Sequence, residues 1–160
     1  MIRVLFVCLG NICRSPMAEA VFRDKVNKCG AADRIQVDSA GTGNWHTGDV
    51  PHPGTRKILN RAGITFSGIQ ARTVTADDLL RFDQIIAMDR MNEQDLFRMA
   101  GIDPSTNKKI SRFMQLLDDR GGRDVPDPYY TGRFDEVYRL IDKGTNVLLE
   151  ELLRGWTPPF

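Results

Sequence analysis

Cys8 and Arg14 stand near the start of the chain with five residues between them, in the segment 7–16 (Val-Cys-Leu-Gly-Asn-Ile-Cys-Arg-Ser-Pro). The intervening loop contains Gly10 and Asn11, the two residue types that most easily adopt positive φ. Such a loop can direct several backbone N–H groups toward one point, where they and the guanidinium would bind an oxyanion. Residues 7–16 are therefore the first candidate for a functional site.

A cysteine in such a loop is suited to nucleophilic chemistry. Adjacent cations and helix N-termini both stabilise the reactive thiolate, and here Arg14 and a helix expected from Ser15 onward would act on Cys8. The same positive pocket would hold a phosphoryl dianion, with the thiolate placed for in-line attack on phosphorus. Taken singly, Cys8 resembles a small buried hydrophobe. The Cys-x5-Arg-Ser-Pro spacing at a strand-to-helix junction favours a nucleophile instead.

An α/β fold is predicted to position this loop. Residues 2–7 are almost wholly apolar and rich in β-branched and aromatic types, which indicates a strand buried on both faces of a parallel sheet. We expect Ser15 to be the N-cap of the next helix, Pro16 its first residue and Gly30 its stop. The apolar face of that helix, and hence part of the core, would be Ala18, Phe22, Val26 and Cys29.

The rest of the chain continues to alternate between strand and helix patterns. Further strands are predicted at residues 35–39, 84–88 and 109–113. Helices are predicted at residues 55–62, after the capping-box pair Thr75 and Asp78, at 91–100, around Leu116 and Leu117, and at 134–152. Residues 118–132 are predicted to form a long polar loop. Within the last helix we expect Gly144 to cost about 1 kcal/mol relative to Ala.

These elements predict a single doubly wound four-stranded parallel sheet flanked by helices, in one domain spanning residues 1–160. Ligands of such sheets bind at the carboxyl ends of the strands, and Cys8 is expected at the end of the first strand. The Gly- and Pro-rich stretch 40–53 is placed beside the site, because irregular loops of that length are uncommon unless functional. Its alternative is a plain surface excursion with Trp45 folded onto the core.

Composition excludes several classes of function. The 22 basic and 21 acidic residues leave a net charge of +1, so no global field would attract nucleic acid. No apolar run of about 18 residues and no signal segment is present, which predicts a cytoplasmic protein without membrane insertion. An odd count of three cysteines argues against a disulfide framework. We expect no metal site, since Cys8 and Cys13 lack a second pair and His46 and His52 lie in the irregular stretch.

Residues 7–16 also resemble, without a substitution, the signature of the low-molecular-weight protein tyrosine phosphatases. Two further blocks are similar to that family: residues 37–42 to its second strand, and residues 127–130 (Asp-Pro-Tyr-Tyr) to its acid loop. The resemblance covers essentially the whole chain in order. It implies hydrolysis of phosphotyrosine and small aryl phosphate monoesters through a cysteinyl-phosphate intermediate, without a cofactor. Tyrosine-phosphorylated proteins would be the partners, inorganic phosphate the product, and the protein a monomer.

The resemblance also implies roles for individual residues. Cys8 would be the nucleophile, Arg14 the phosphate clamp and Asp127 the general acid and base. The expected substrate-binding residues are Leu9, Gly10, Asn11, Ile12, Cys13, Ser15, Trp45 and Tyr129. The expected supports of the loop are Asn11, Ser15 and Ser39. The chain departs from the family at Ile69, because the family often has a histidine there, shortly before Ala71-Arg72, that is linked to the hydrogen bonds of the loop.

The residues alone leave some of these roles open. A carboxylic acid opposite the thiolate is chemically required, because the ester oxygen leaves poorly unless protonated. Asp118, Asp119 and Asp124 are as suitable as Asp127 on this ground, and an Asp-Pro pair is also a turn former. The adjacent Tyr129 and Tyr130 would line an aromatic slot or be partly buried loop residues.

Cys13 suggests a redox role, because a reversible disulfide with Cys8 would shield the nucleophile from over-oxidation. An arsenate reductase of the same fold is a weaker alternative, since it needs a cysteine relay and no Cys follows Cys29. A noncatalytic phosphate-binding module needs no nucleophile and acid loop. A Cys-His hydrolase using His46 or His52 is weaker still, because neither histidine has an obvious orienting partner in the sequence.

Overall fold

The computed structural model describes residues 1–117 and 122–157, and within them lies a four-stranded sheet. Its strands are β1 (Ile2–Cys8), β2 (Ile35–Gly41), β3 (Gln84–Ala87) and β4 (Ile110–Arg112). They lie in the order β2-β1-β3-β4, and every pair is parallel. The predicted α/β class with a doubly wound parallel sheet is confirmed.

Helices cover both faces of the sheet. They are α1 (Arg14–Lys28), α2 (Pro53–Arg61), α3 (Ala76–Arg81), α4 (Arg90–Ala100), α5 (Pro128–Thr131) and α6 (Phe134–Leu152), with a 3₁₀ helix at Phe113–Leu117. Side chains of β1 alternate between two cores, as the pleat of a strand requires. Phe6 packs with Phe22 of α1 and Ile141 of α6, whereas Leu5 packs with Leu96 of α4. None of the helices in the described residues is long and apolar enough to cross a membrane.

The start of α1 differs from the prediction. The N-cap is Cys13, the first helical residue is Arg14, and Pro16 is the third. Ser15 does not cap the helix because its hydroxyl is engaged by Cys8 and Asn11. Pro16 is tolerated there because the first-turn N–H groups of a helix have no intrahelical acceptor.

Two further predictions are corrected. The segment predicted as a loop up to residue 132 contains α5, one helical turn capped by Asp127 and ended by Gly132 at φ 73°. Cys29, expected in the core, is only half-buried at the C-cap of α1. The capping box of Thr75 and Asp78 at α3 is confirmed.

Gly144 is a packing requirement of α6, which the sequence did not reveal. A Cβ atom at this position would lie 2.4 Å from ring atoms of Phe113, which is fully buried. Gly144 therefore allows α6 to approach the 3₁₀ helix that contains Phe113.

The carboxyl edge of the sheet is closely packed around the end of β1. The β1–β2 register pairs Cys8 with Gly41, and a Cβ atom at Gly41 would lie 2.7 Å from the Leu9 carbonyl oxygen. Gly41 thus lets the loop after β1 lie directly against β2. This contact sets the position of the loop that begins at Cys8.

Candidate active site

Cys8 is the last residue of β1, and the loop that follows encloses its sulfur. Asn11 adopts φ 56°, the left-handed conformation, whereas Gly10 does not have a positive φ. The Asn11 N–H donates to Cys8 Sγ at 3.3 Å, and Ser15 Oγ lies 2.9 Å from the same sulfur. Because Asn11 Nδ2 donates to Ser15 Oγ at 2.8 Å, the hydroxyl proton of Ser15 is available to the sulfur. Two donors therefore converge on a thiolate at this position.

A buried hydrogen-bond network holds Asn11 in this conformation. Asn11 Nδ2 also donates to Ser39 Oγ at 2.9 Å, and Ser39 Oγ donates to Glu19 Oε1 at 2.6 Å. Asn11 Oδ1 accepts the backbone N–H of Arg72 at 2.9 Å. Ile69, in the position where the family often has histidine, is buried and apolar. The network is completed here by the Arg72 backbone without a side chain from residue 69.

Glu19 was not singled out by the sequence pattern, since it lies on a helix face in an ordinary charged position. Its side chain is buried, and burial raises the pKa of its carboxyl although Ser39 and Arg23 favour the ionised form. Arg23, one turn along α1, donates to it. Glu19 therefore connects the hydrogen bonds that start at the Cys8 sulfur to Arg23 on α1.

Arg14 is buried and surrounded by acceptors. Its Nη1 donates to Asp89 Oδ2 at 2.8 Å and to the Val125 carbonyl at 3.0 Å, and its Nη2 donates to Asp127 Oδ2 at 3.4 Å. Burial opposes the charge of Arg14, but Cys8, Asp89 and Asp127 outweigh it and raise the pKa of the guanidinium. Arg14 is thus a permanent cation in a fixed orientation. Asp89, the N-cap of α4, is a site residue that sequence reasoning missed.

A cavity of about 210 Å³ opens above the sulfur. Its lining is formed by Cys8, Leu9, Gly10, Ile12, Cys13, Arg14, Trp45, His46, Asp127, Tyr129 and Tyr130. The predicted nucleophile, clamp, acid and aromatic walls thus lie around one cavity. Asn11 and Ser15, predicted to bind substrate as well as to support the loop, direct their side chains into the buried network described above.

The rim of the cavity is aromatic and exposed. Trp45 is 70% exposed and Tyr129 is 55% exposed, and Tyr130 packs on Tyr129 with ring centroids 5.3 Å apart. The stretch 40–53 lies beside the site, as predicted, because it carries Trp45 and His46 to the rim. Trp45 is therefore a wall of the cavity and not a core residue.

The two histidines serve different contacts. His46 was not assigned to the site by sequence, yet it lines the cavity, packs against Gly10 and has Asp49 Oδ2 3.3 Å from its Nδ1. Its place immediately after Trp45 was the available signal. His52 caps α2 by accepting the Gly54 N–H through Nδ1, and its ring stacks on Phe134.

The acidic candidates are separated by the structure. Asp127 lines the cavity, and its Oδ1 accepts the Tyr129 N–H at the start of α5. Asp124 accepts the Arg90 N–H at 3.0 Å and is turned toward α4. Asp118 and Asp119 lie outside the described residues. Among the described residues, Asp127 is the carboxylic acid that faces the sulfur's cavity.

Cys13 differs from an ordinary thiol in its pKa, because its side chain is buried. Its pKa is raised to about 12, chiefly by burial, with further contributions from the nearby Cys8 and Asp127. Cys13 is therefore a neutral thiol at physiological pH. Within residues 1–117 and 122–157, no group of three or more His, Cys, Asp or Glu side chains is arranged to hold a metal ion.

Comparisons with known proteins agree with this geometry. The sequence model described as low molecular weight phosphotyrosine protein phosphatase matches residues 3–156. The low molecular weight protein-tyrosine-phosphatase YfkJ of Bacillus subtilis is 53% identical over 152 residues, which cover 95% of this chain and 96% of that protein. The corresponding phosphatase PtpA of Staphylococcus aureus is 40% identical over 154 residues, covering 96% of each.

Solved structures give the same result. The crystal structure of Bacillus subtilis YfkJ superposes with a TM-score of 0.91 at 52% identity and 98% coverage of both chains. A protein tyrosine phosphatase from Entamoeba histolytica superposes with a TM-score of 0.86 at 32% identity, covering 98% of this chain and all of that one. The resemblance that the loop sequence suggested thus holds over the whole length, and the chain belongs to the low molecular weight protein-tyrosine phosphatase family.

Proposed function

We propose that the chain hydrolyses phosphotyrosine and small aryl phosphate monoesters through a cysteinyl-phosphate intermediate on Cys8. The observation that carries this proposal is that a sulfur, a buried cation and a carboxylic acid line one cavity closed at its base by the loop 9–13. Each group is held by contacts that do not involve substrate. The geometry is therefore preorganised for the reaction.

In the first half-reaction the thiolate of Cys8 attacks phosphorus. The S–P bond forms as the P–O bond to the aryl group breaks, and Asp127 gives its proton to the departing oxygen. Arg14 and the N–H groups of the loop bind the oxygens of the phosphoryl group. Asp127 Oδ2 lies 3.4 Å from Arg14 Nη2. A bound dianion would compete with Asp127 for that arginine.

In the second half-reaction water replaces the aryl group. The Asp127 carboxylate, left by the first step, accepts a proton from water as the water oxygen attacks phosphorus. The S–P bond then breaks, and inorganic phosphate and the Cys8 thiolate are released. The hydroxyl of Ser15, 2.9 Å from the sulfur, stabilises the thiolate as a leaving group.

The rim of the cavity favours an aryl ester. Trp45 and Tyr129 expose flat apolar surface at the mouth, where the ring of a phosphotyrosine would lie while its phosphate reaches the loop. Tyrosine-phosphorylated proteins are the corresponding substrates. A single domain, a monomeric state and a cytoplasmic location are further predictions for this chain.

The test is an aryl phosphate assay on the wild type, Cys8→Ser and Asp127→Ala. Cys8→Ser is expected to have no measurable turnover. Asp127→Ala is expected to lose about 10²–10⁴-fold in kcat/KM on esters with poor leaving groups, and much less on esters with good leaving groups, which depart without a proton.

Two variants serve as matched controls. Cys29→Ser removes a half-buried thiol from the far end of α1, and Asp103→Ala removes a carboxylate that bonds with Ser105 in an exposed turn. Both should retain wild-type turnover. Unchanged turnover in Cys8→Ser or Asp127→Ala would overturn the corresponding assignment.

A further inference from the structure

We propose that Asp124 is a positioning residue for Asp127: it fastens the segment that carries the acid to the N-terminus of α4. This inference rests on the proposed role of Asp127. Asp124 does not line the cavity, and its carboxylate has another partner. Asp124 Oδ1 accepts the backbone N–H of Arg90, the first residue of α4, at 3.0 Å.

The helix end that Asp124 contacts is part of the active site. Asp89, the N-cap of α4, accepts from Arg14 Nη1 at 2.8 Å through Oδ2 and from the Asn92 N–H through Oδ1. The residue after Asp89 is Arg90, and its backbone N–H is the one that Asp124 accepts. The N-terminus of α4 therefore holds the phosphate clamp Arg14 through the Asp89 carboxylate. It holds the acid segment through the Arg90 N–H, which Asp124 accepts.

Neighbouring contacts restrict the acid segment to one path. The Val125 N–H donates to the Met88 carbonyl at 3.0 Å, and the Val125 carbonyl accepts from Arg14. Val125 is 1% exposed. Upstream, Arg112 Nη1 donates to the Gly122 carbonyl at 3.2 Å. Asp124 is the side-chain anchor in the middle of this segment.

The sequence between the anchor and the acid is stiff. Residues 124–128 read Asp-Val-Pro-Asp-Pro, so Val125 and Asp127 both precede a proline and are restricted to extended conformations. Asp127 has φ −86° and ψ 107°, in agreement. Both prolines also have a fixed φ. The two prolines limit how much of a displacement at Asp124 the backbone between Asp124 and Asp127 can absorb.

This arrangement explains why a second aspartate lies three residues before the acid without facing the cavity. Removing its acceptor oxygen leaves the Arg90 N–H to solvent and loosens the segment at one of its attachments. Misplacement of a catalytic group by about 1 Å costs up to about 10²-fold in rate. The loss should appear only in the two steps that Asp127 serves, protonation of the departing oxygen and activation of water.

The experiment measures kcat and KM of Asp124→Ala, Asp124→Asn and Asp127→Ala on phosphotyrosine and on 2,4-dinitrophenyl phosphate, whose leaving group needs no proton. Asp124→Ala should lose about 10-fold in kcat/KM on phosphotyrosine and little in kcat/KM on the dinitrophenyl ester, because kcat/KM does not include hydrolysis of the cysteinyl phosphate. Asp124→Asn keeps an acceptor oxygen and should recover most of that loss. Thermal unfolding of each variant identifies any global effect.

The double variant Asp124→Ala/Asp127→Ala gives the decisive comparison. If Asp124 acts through Asp127, the double variant has the kcat of Asp127→Ala alone, because the acid to be positioned is gone. Additive losses, equal losses on both esters, or failure of Asp124→Asn to recover would overturn the inference while leaving Asp127 as the acid. If Asp127→Ala itself shows no dependence on the leaving group, the proposed function fails first.

Discussion

Cys8 and Cys13 line the same cavity, but only one of them is suited to attack. The raised pKa of Cys13, about 12, keeps it a neutral thiol across the physiological range. At pH values below that pKa, the thiolate fraction of Cys13 rises about tenfold for each unit by which the pH increases, and its ability to close a disulfide rises with it. We therefore expect any disulfide between Cys13 and Cys8 to form slowly, and faster as the pH rises.

Mild peroxide is expected to convert the Cys8 sulfur to sulfenic acid, after which the Cys13 sulfur displaces hydroxide and a Cys8–Cys13 disulfide forms. Mass spectrometry of digests quenched at intervals should show the disulfide forming faster as pH rises from 6 to 9. In Cys13→Ser, Cys8 should instead proceed to sulfinic acid, while Cys29→Ser should behave as wild type. Sulfinic acid at Cys8 in the wild type with no intervening disulfide would refute this role of Cys13.

At the scale of residues, the sequence identified the groups that carry chemical signatures. Cys8 and Arg14 belong to one short motif, Asp127 was singled out only by the family resemblance, and the structure brings all three to one cavity. Asp89 and Glu19 could not be found in this way, because their positions depend on contacts between segments distant in sequence.

At the scale of elements, helices with a periodic apolar pattern or a local capping signal were predicted correctly, whereas the isolated helical turn α5 was not. The long helix α6 has an apolar repeat that fixes its face, and the capping box of α3 is a local signal. The single turn α5 has too few residues for any repeat. The N-cap of α1 was misassigned because the hydroxyl of Ser15 is used by Cys8, a tertiary contact that local propensity does not contain.

Gly144 shows how packing reverses an argument from propensity. By helix propensity alone, Gly144→Ala would stabilise α6 by about 1 kcal/mol. The added methyl would lie 2.4 Å from the ring of Phe113, which packs in turn on Phe6 with ring centroids 6.3 Å apart and cannot move freely. We expect a net loss of about 1–2 kcal/mol in the free energy of unfolding, measured by urea titration.

Asn146→Ala is the matched control for that substitution. It lies two residues along α6 at an exposed position, where the gain in helix propensity is not opposed by packing. It should leave the free energy of unfolding unchanged or slightly raised. A Gly144→Ala variant more stable than the wild type would show that the 3₁₀ helix yields to α6 at small cost.

At the scale of the whole molecule, the active site is an edge of the sheet at which separate crossovers meet. The chain leaves β1 toward β2 on one side and β3 lies on the other, so the loop after β1 occupies the point where strand order reverses. The sequence predicted that the site lies at the carboxyl end of the first strand, but it did not predict the order of the strands. It did not predict which side chains join the crossovers to one another.

Arg72 is one residue whose contacts connect separate crossovers. Its backbone N–H holds Asn11, and its guanidinium pairs with Asp38 of β2 at 3.0 Å and with Asp78 of α3 at 2.8 Å. Burial favours the neutral form of Asp78, but hydrogen bonds from Arg72 and Thr75 outweigh it and lower the pKa of its carboxyl below the ordinary value of 3.8. Asp78 therefore contributes stability above that pH, and the contribution is lost as pH falls through its lower folded pKa.

Asp78→Asn is expected to lower the free energy of unfolding by about 2 kcal/mol at pH 7, because a buried charged acceptor of several donors is lost. In urea titrations the gap from wild type should stay constant down to about pH 4 and shrink below it. Asp77→Asn, one residue earlier and exposed with Arg81 at 3.4 Å, should change stability by less than about 0.5 kcal/mol. A gap independent of pH down to 3 would mean that Asp78 acts through shape alone, and that its pairing with Arg72 does not join α3 to the loop 9–13.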